Sequence, residues 1–239
     1  RSRGLGDVYK RQYKEIFMKI IKFIQINLLG ILPMILTSTM LFIGDTTLPT
    51  LSKITCATFL LFYIFIIIYI YRYYNKVSGM TLHFINFKNL ISIILSLILI
   101  RLIFFLGTYL MTILENKKTT LNDQLLISNN FHDLPLITFL LFLVTITFIS
   151  PIIEELIYRG ILRFQFFKAD KLYLPLIISS TIFSIFHLTT DFISFIMYFL
   201  AGSLLFYNYY KSNNLTQSIL LHISNNLFFS IELVQNYFN

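Results

Sequence analysis

Runs of roughly 18 or more apolar residues recur along this chain, and that is the length a helix needs to cross a bilayer. Hydrocarbon offers no partner to a backbone N–H or C=O, so a spanning segment must satisfy its own groups as a helix. The alternation of a barrel strand is missing, and the length of the isoleucine-rich runs overrides their strand propensity. Composition agrees: of 239 residues, 56% are hydrophobic and 13% charged, against about a quarter charged in a soluble domain. The fold class is therefore all-α, a polytopic transmembrane helical bundle of about seven spans.

The expected spans lie near Phe23–Ile43, Ile54–Tyr71, Leu90–Leu114, Leu134–Phe167, Leu172–Leu188, Phe192–Tyr209 and Leu215–Val234. The fourth is too long for one crossing, since about 34 helical residues measure roughly 50 Å against a core of ~30 Å. Pro151 sits in its middle, where a proline removes one backbone bond and kinks or restarts a helix. The fourth segment is thus expected to be broken into two pieces at Pro151. The formal charge of +8 is scattered among the connections between spans, which fits cytoplasmic loop bias better than a nucleic-acid surface. With the N-terminus inside, the inner flanks hold Lys14, Lys19, Lys22, Arg72, Lys76, Lys88, Arg163, Lys168, Lys171 and Lys211. The outer flanks hold Lys53, Lys117 and Lys118. The expectation is a cytoplasmic N-terminus in a plasma membrane, bacterial by an Ile-, Phe-, Lys- and Asn-rich composition. The first span reads as a retained anchor.

Residues 1–12 differ in texture from the rest of the chain, and Asp7-Val-Tyr-Lys-Arg-Gln12 resembles the translation of a sequencing-library transposase adapter. They are set aside from fold reasoning as a sequencing artefact. Cys56 is the single cysteine, which excludes an internal disulfide and any cysteine-based metal pattern; it reads as a small hydrophobe. Tyr71, Tyr73, Tyr74, Tyr207, Tyr209 and Tyr210 cluster near span ends and read as interfacial anchors.

Ionisable residues within spans are expensive, so each is a candidate functional group. They are Arg101, Glu154, Glu155, Arg159, His187, His222 and, near the end of the last span, Glu232. Glu155 and Arg159 are spaced i,i+4, so they can pair on one helical face. Phe183 and His187 share a face by the same spacing, as do His222 and Asn226. Three polar stations on three helices suggest one converging site, and the chemistry they suit is hydrolysis. A carboxylate can act as general base on water, one histidine can orient that water, and a histidine–asparagine pair can donate to an oxyanion. A zinc ion held by Glu154, His187 and His222 with one open position fits the residue types equally well. Arg101 reads first as a structural or snorkelling cation and second as a holder of a substrate carboxylate. His83 and His132 read as solvated loop residues.

The patterns Glu154-Glu155-Leu-Ile-Tyr-Arg159-Gly160, Phe183-Ser-Ile-Phe-His187 and His222-Ile-Ser-Asn-Asn226 match EExxxR(G), FxxxH and HxxxN. In this order, in successive helices, they resemble the CPBP family of type II CAAX prenyl proteases and bacteriocin-processing enzymes, also called Abi. The resemblance implies an intramembrane peptidase core over residues 134–239, behind N-terminal transmembrane helices over 13–133. It implies Glu154 as the water-activating carboxylate with His187 as its partner, Glu155 and Arg159 as support, and His222 and Asn226 as the oxyanion pair. Tyr158 departs from the phenylalanine common there and adds a hydroxyl. The implied substrate is a membrane-associated peptide or lipidated protein. One alternative is a non-catalytic binding protein for bacteriocin self-immunity that uses the same cavity; another, read from the residues, is a small transporter with the buried carboxylates as a proton relay.

Overall fold

The computed structural model describes residues 3–44, 49–127, 134–168 and 170–238. Among these, eight helices follow one another and no strand occurs. They are α1 (Arg3–Gly44), α2 (Pro49–Ser78), α3 (Phe87–Glu115) and α4 (Leu121–Ile127), then α5 (Leu136–Phe166), α6 (Tyr173–Phe186), α7 (Phe192–Ser212) and α8 (Leu215–Phe238). Five of them, α1, α2, α3, α5 and α7, are long and apolar enough to cross a membrane. Of the two other expected spans, α6 has only 14 residues, and α8 has its apolar character diluted by His222, Asn225, Asn226 and Glu232. His132 lies outside the described residues.

Burial is inverted relative to a water-soluble bundle. Leu61, Phe65, Leu95 and Ile98 are exposed on the outer faces of α2 and α3, as lipid-facing residues must be. Inside, polar side chains tie the helices to one another. Asn208 of α7 donates to Ser96 at 2.8 Å, and its Oδ1 accepts from Ser92 at 2.9 Å and from Gln217 of α8 at 2.7 Å. In a membrane such bonds substitute for the hydrophobic driving force that lipid removes. Turn chemistry closes the ends. Asp191 caps α7 by accepting from the Ser194 N–H at 2.7 Å, and Asn213 ends that helix in the left-handed conformation (φ 50°).

Two expectations need correction. Tyr74 and Tyr209 are not interfacial anchors: both are fully buried, and their hydroxyls pair at 3.0 Å. A buried phenol is tolerated because that bond satisfies it. Arg163, counted as a flanking cation, is buried with its guanidinium against the rings of Phe164, Tyr209 and Tyr210. Cys56 is a buried hydrophobe, as expected, with its thiol 3.8 Å from the Thr138 hydroxyl.

The fourth segment does not separate into two pieces at Pro151. One helical run continues from Leu136 to Phe166, but its hydrogen bonding changes on both sides of the proline. Thr145–Ile149 and Glu155–Ile161 are wound as π-helix. Ahead of the proline, the Ser150 N–H bonds to the Thr145 carbonyl, five residues back. In that register the next donor falls on Pro151, which has no N–H. The widened turn accommodates the ring without a break, and it leaves the Ile146 carbonyl without a backbone donor. Single π-turns inside α-helices mark functional sites more often than chance would give. Every residue of Glu155–Ile161 is buried, which makes this the central helix of the bundle.

Candidate active site

Each site residue is held by a local device. Glu155 is completely buried and fully engaged. Its Oε1 lies 3.1 Å from Arg159 Nη1 and 2.9 Å from His222 Nδ1, while its Oε2 accepts from the Ser218 hydroxyl. The Glu155–Arg159 contact is the ion pair that the i,i+4 spacing predicts. Arg159 also donates from Nη2 to the Gly202 carbonyl at 3.3 Å, and its guanidinium lies 4.4 Å from the centre of the Phe183 ring. The buried pair draws on four helices: α5, α6 and α7 supply the neighbours of Arg159, and α8 supplies Ser218 and His222 to Glu155, while Arg159 Nε has no hydrogen-bond partner.

Gly202 is part of that enclosure. A Cβ there would stand 3.1 Å from Phe183, 3.2 Å from the Ser180 Cα and 3.3 Å from Arg159 Nη2. Gly202→Val is therefore expected to push α6 and α7 apart at the arginine and cost about 1–3 kcal/mol. A thermal unfolding midpoint equal to that of the wild type would contradict this packing.

Glu154, one residue earlier, is in the opposite condition. Its Oε2 is buried and has no hydrogen-bond partner. The side chain lines a cavity of about 460 Å³ together with Gly30, Tyr158, Phe183, His187 and Asn226. The Tyr158 hydroxyl is likewise buried without a partner in that cavity wall. It fits because residue 30 is glycine, since a Cβ there would fall 2.0 Å from the hydroxyl oxygen.

His187 follows the last residue of α6. Its Nδ1 lies 2.7 Å from the Phe183 carbonyl, which can only accept, so Nδ1 carries the proton. Nε2 of the neutral ring is then left with a free lone pair. The ring lies flat against Tyr198 of α7, with centroids 4.5 Å apart, and 4.2 Å from the Phe183 ring. The Tyr198 hydroxyl is fixed in turn by Asp123, Asn122 and Thr120, so the first turn of α4 and the residue before it support the histidine from behind.

His222 gives its Nδ1 proton to Glu155, which leaves Nε2 as the ring atom available to a ligand. It donates there only when the ring is doubly protonated. Asn226 donates one Nδ2 proton to the Ile146 carbonyl at 2.9 Å, the same carbonyl that Pro151 deprives of a backbone donor. The second Nδ2 proton remains available. His187, His222 and Asn226 line a larger cavity of about 740 Å³, and His187, Asn226 and Phe183 form the wall it shares with the cavity of Glu154.

The sequence leaves the depth of His187 in tension with that of Glu154. Both residues nevertheless line one cavity, His187 standing at the end of a helix of only 14 residues, about 21 Å long. The zinc alternative fits less well. Glu154 lines only the smaller cavity and His222 only the larger. Among the described residues, no three His, Cys, Asp or Glu side chains converge to hold a metal ion.

The sequence patterns do not single out Ser218, although it stands four residues before His222 on the same helical face. Nor do they reach Tyr198, Asn122 and Asp123, which no spacing rule links to the motifs. Residues 136–228 match the family described as type II CAAX prenyl endopeptidase Rce1-like. No curated protein and no solved structure matches the chain.

Proposed function

From the match of residues 136–228 to the type II CAAX prenyl endopeptidase family, we propose that this protein is an intramembrane peptidase that hydrolyses a membrane-associated peptide or protein. The observation that carries the reading is the contrast between two adjacent carboxylates. Glu155 has every neighbour a buried carboxylate needs, whereas Glu154 presents an unpartnered oxygen beside His187 and Asn226.

In the proposed reaction Glu154 takes a proton from a water molecule while the lone pair on His187 Nε2 accepts that water's other hydrogen. The water oxygen attacks the peptide carbonyl carbon. The resulting oxyanion receives the free Asn226 N–H and, whenever Nε2 carries a proton, the His222 Nε2–H. Collapse of the intermediate breaks the C–N bond, and the proton held by Glu154 passes to the departing amine. Glu155 and Arg159 position His222 rather than touch the substrate. The abundance of basic residues near the Arg72, Lys76 and Lys211 ends of the helices supports an inward placement of that side, with the N-terminus cytoplasmic.

Purified protein in nanodiscs, incubated with a library of apolar peptides and read by mass spectrometry, tests the proposal. His187→Ala is expected to lower kcat by roughly 10²-fold or more with the same cleavage positions for whatever remains. Equal cleavage by His187→Ala and wild type would remove His187 from the reaction. No cleavage of any peptide by the wild type would count against the peptidase reading.

A further inference from the structure

Arg101 stands in the middle of α3 (Phe87–Glu115), outside the segment that carries the family match. Its side chain is exposed and lines the larger cavity, the one that also holds His187, His222 and Asn226. Among the described residues, no carboxylate lies within ion-pairing distance of it. Its one close neighbour of note is the Phe228 ring, 5.0 Å from the guanidinium carbon. The two arginines of α5 differ from it. Arg159 faces Glu155, and Arg163 is packed among three aromatic rings.

A guanidinium at the middle of a spanning helix costs several kcal/mol and is kept where it serves a pathway or a ligand. Two acidic residues line the same cavity, Asp123 and Glu232. Asp123 is engaged elsewhere, because its Oδ1 receives the Tyr198 hydroxyl at 3.2 Å and Asn122 Nδ2 at 3.2 Å. Burial also pushes the Asp123 carboxyl up, against the hydrogen bonds from Asn122, Thr120 and Tyr198 and the pull of Arg101. Phe104, Phe105 and Phe229 line the same cavity beside Thr108 and Asn225, and a second cation, Lys118, stands in its wall. The chamber therefore suits a ligand of mixed apolar and polar character that carries an anionic group.

Phosphate and carboxylate are the two common anions that a guanidinium fork binds bidentately. A lipid phosphate resides at the headgroup level, about half the core thickness away from a mid-span residue. A peptide drawn into the cavity brings a carboxylate to any depth. We propose that Arg101 binds a carboxylate of the substrate and so determines which peptides the site accepts. This rests on the peptidase reading for the word substrate, but its test does not depend on cleavage.

The protein carrying Glu154→Gln is placed in phosphatidylcholine nanodiscs. Its affinity is measured by fluorescence anisotropy for one fluorescein-labelled apolar octapeptide, prepared with a free C-terminal carboxylate or as the carboxamide. The expected result is at least about tenfold tighter binding of the carboxylate form. Arg101→Gln abolishes the difference and Arg101→Lys restores part of it, with unfolding midpoints unchanged for an exposed side chain. Equal binding of both peptides by the Arg101 protein overturns the proposal, as does a preference that survives in Arg101→Gln. A third arm uses phosphatidylglycerol discs. If they raise the unfolding midpoint only when Arg101 is present, while both peptides bind equally, the anion is a lipid phosphate and the substrate role is overturned. Because binding is read without turnover, a failure to cleave any peptide would sink the peptidase reading and leave this result standing.

Discussion

Glu154→Gln is expected to lower kcat for peptide hydrolysis by roughly 10²–10⁴-fold without loss of folded protein. The amide keeps the shape of the carboxyl but cannot take a proton from water. No neighbour is deprived of a bond at Oε2, because that oxygen has none. Replacing an unpartnered carboxylate by a neutral group also lessens a desolvation cost, so the thermal midpoint should stay level or rise. The decisive pair of measurements is single-turnover cleavage and thermal unfolding on the same preparation. Wild-type turnover in a folded Glu154→Gln protein would end the case for water activation by this residue.

Glu155→Ala should give the reverse phenotype. Removing that carboxylate leaves Arg159 as an uncompensated buried charge and takes an acceptor from both His222 and Ser218. Breaking a buried pair by deleting one member costs about 3–5 kcal/mol, a large part of what a domain has in reserve. Detergent-solubilised protein should unfold at a clearly lower temperature, or fail to accumulate. Glu155→Gln should fall between the two, since an amide can still accept from Ser218 or His222. An unchanged midpoint for Glu155→Ala would mean that the network does not hold α5 to α8. Two neighbouring glutamates thus separate into one whose loss shows in rate and one whose loss shows in stability.

The sequence displays much of this because membrane chemistry makes polar residues conspicuous. Glu155–Arg159 and His222–Asn226 are visible as i,i+4 pairs in apolar surroundings, and the fold class follows from run length alone. Other features depend on registers that a sequence does not display. The π-turns flanking Pro151 are backbone choices. Without them the partnership of Asn226 with the Ile146 carbonyl has no visible cause. The bond between His222 and Glu155 is invisible for a different reason: spacing rules relate residues within a helix, not across two. The burial of Tyr74 and Tyr209 is hidden because tyrosines at span ends usually face the interface, and only their mutual bond shows otherwise. The support that Tyr198 gives His187 is anchored on Asp123 in the short α4, a stretch between spans that carries no motif.

The brevity of α6 has a consequence beyond the site it serves. It stands in one bundle with α3 and α5, whose 29 and 31 residues make them about twice its length. A bilayer can match the long members or the short one, but not both, and mismatch is relieved by tilt or by local thinning of the lipid. Tilt of α3 and α5 would leave the bilayer flat, whereas thinning on the flank where α6 ends would shorten the path that water must travel to reach His187 at that end.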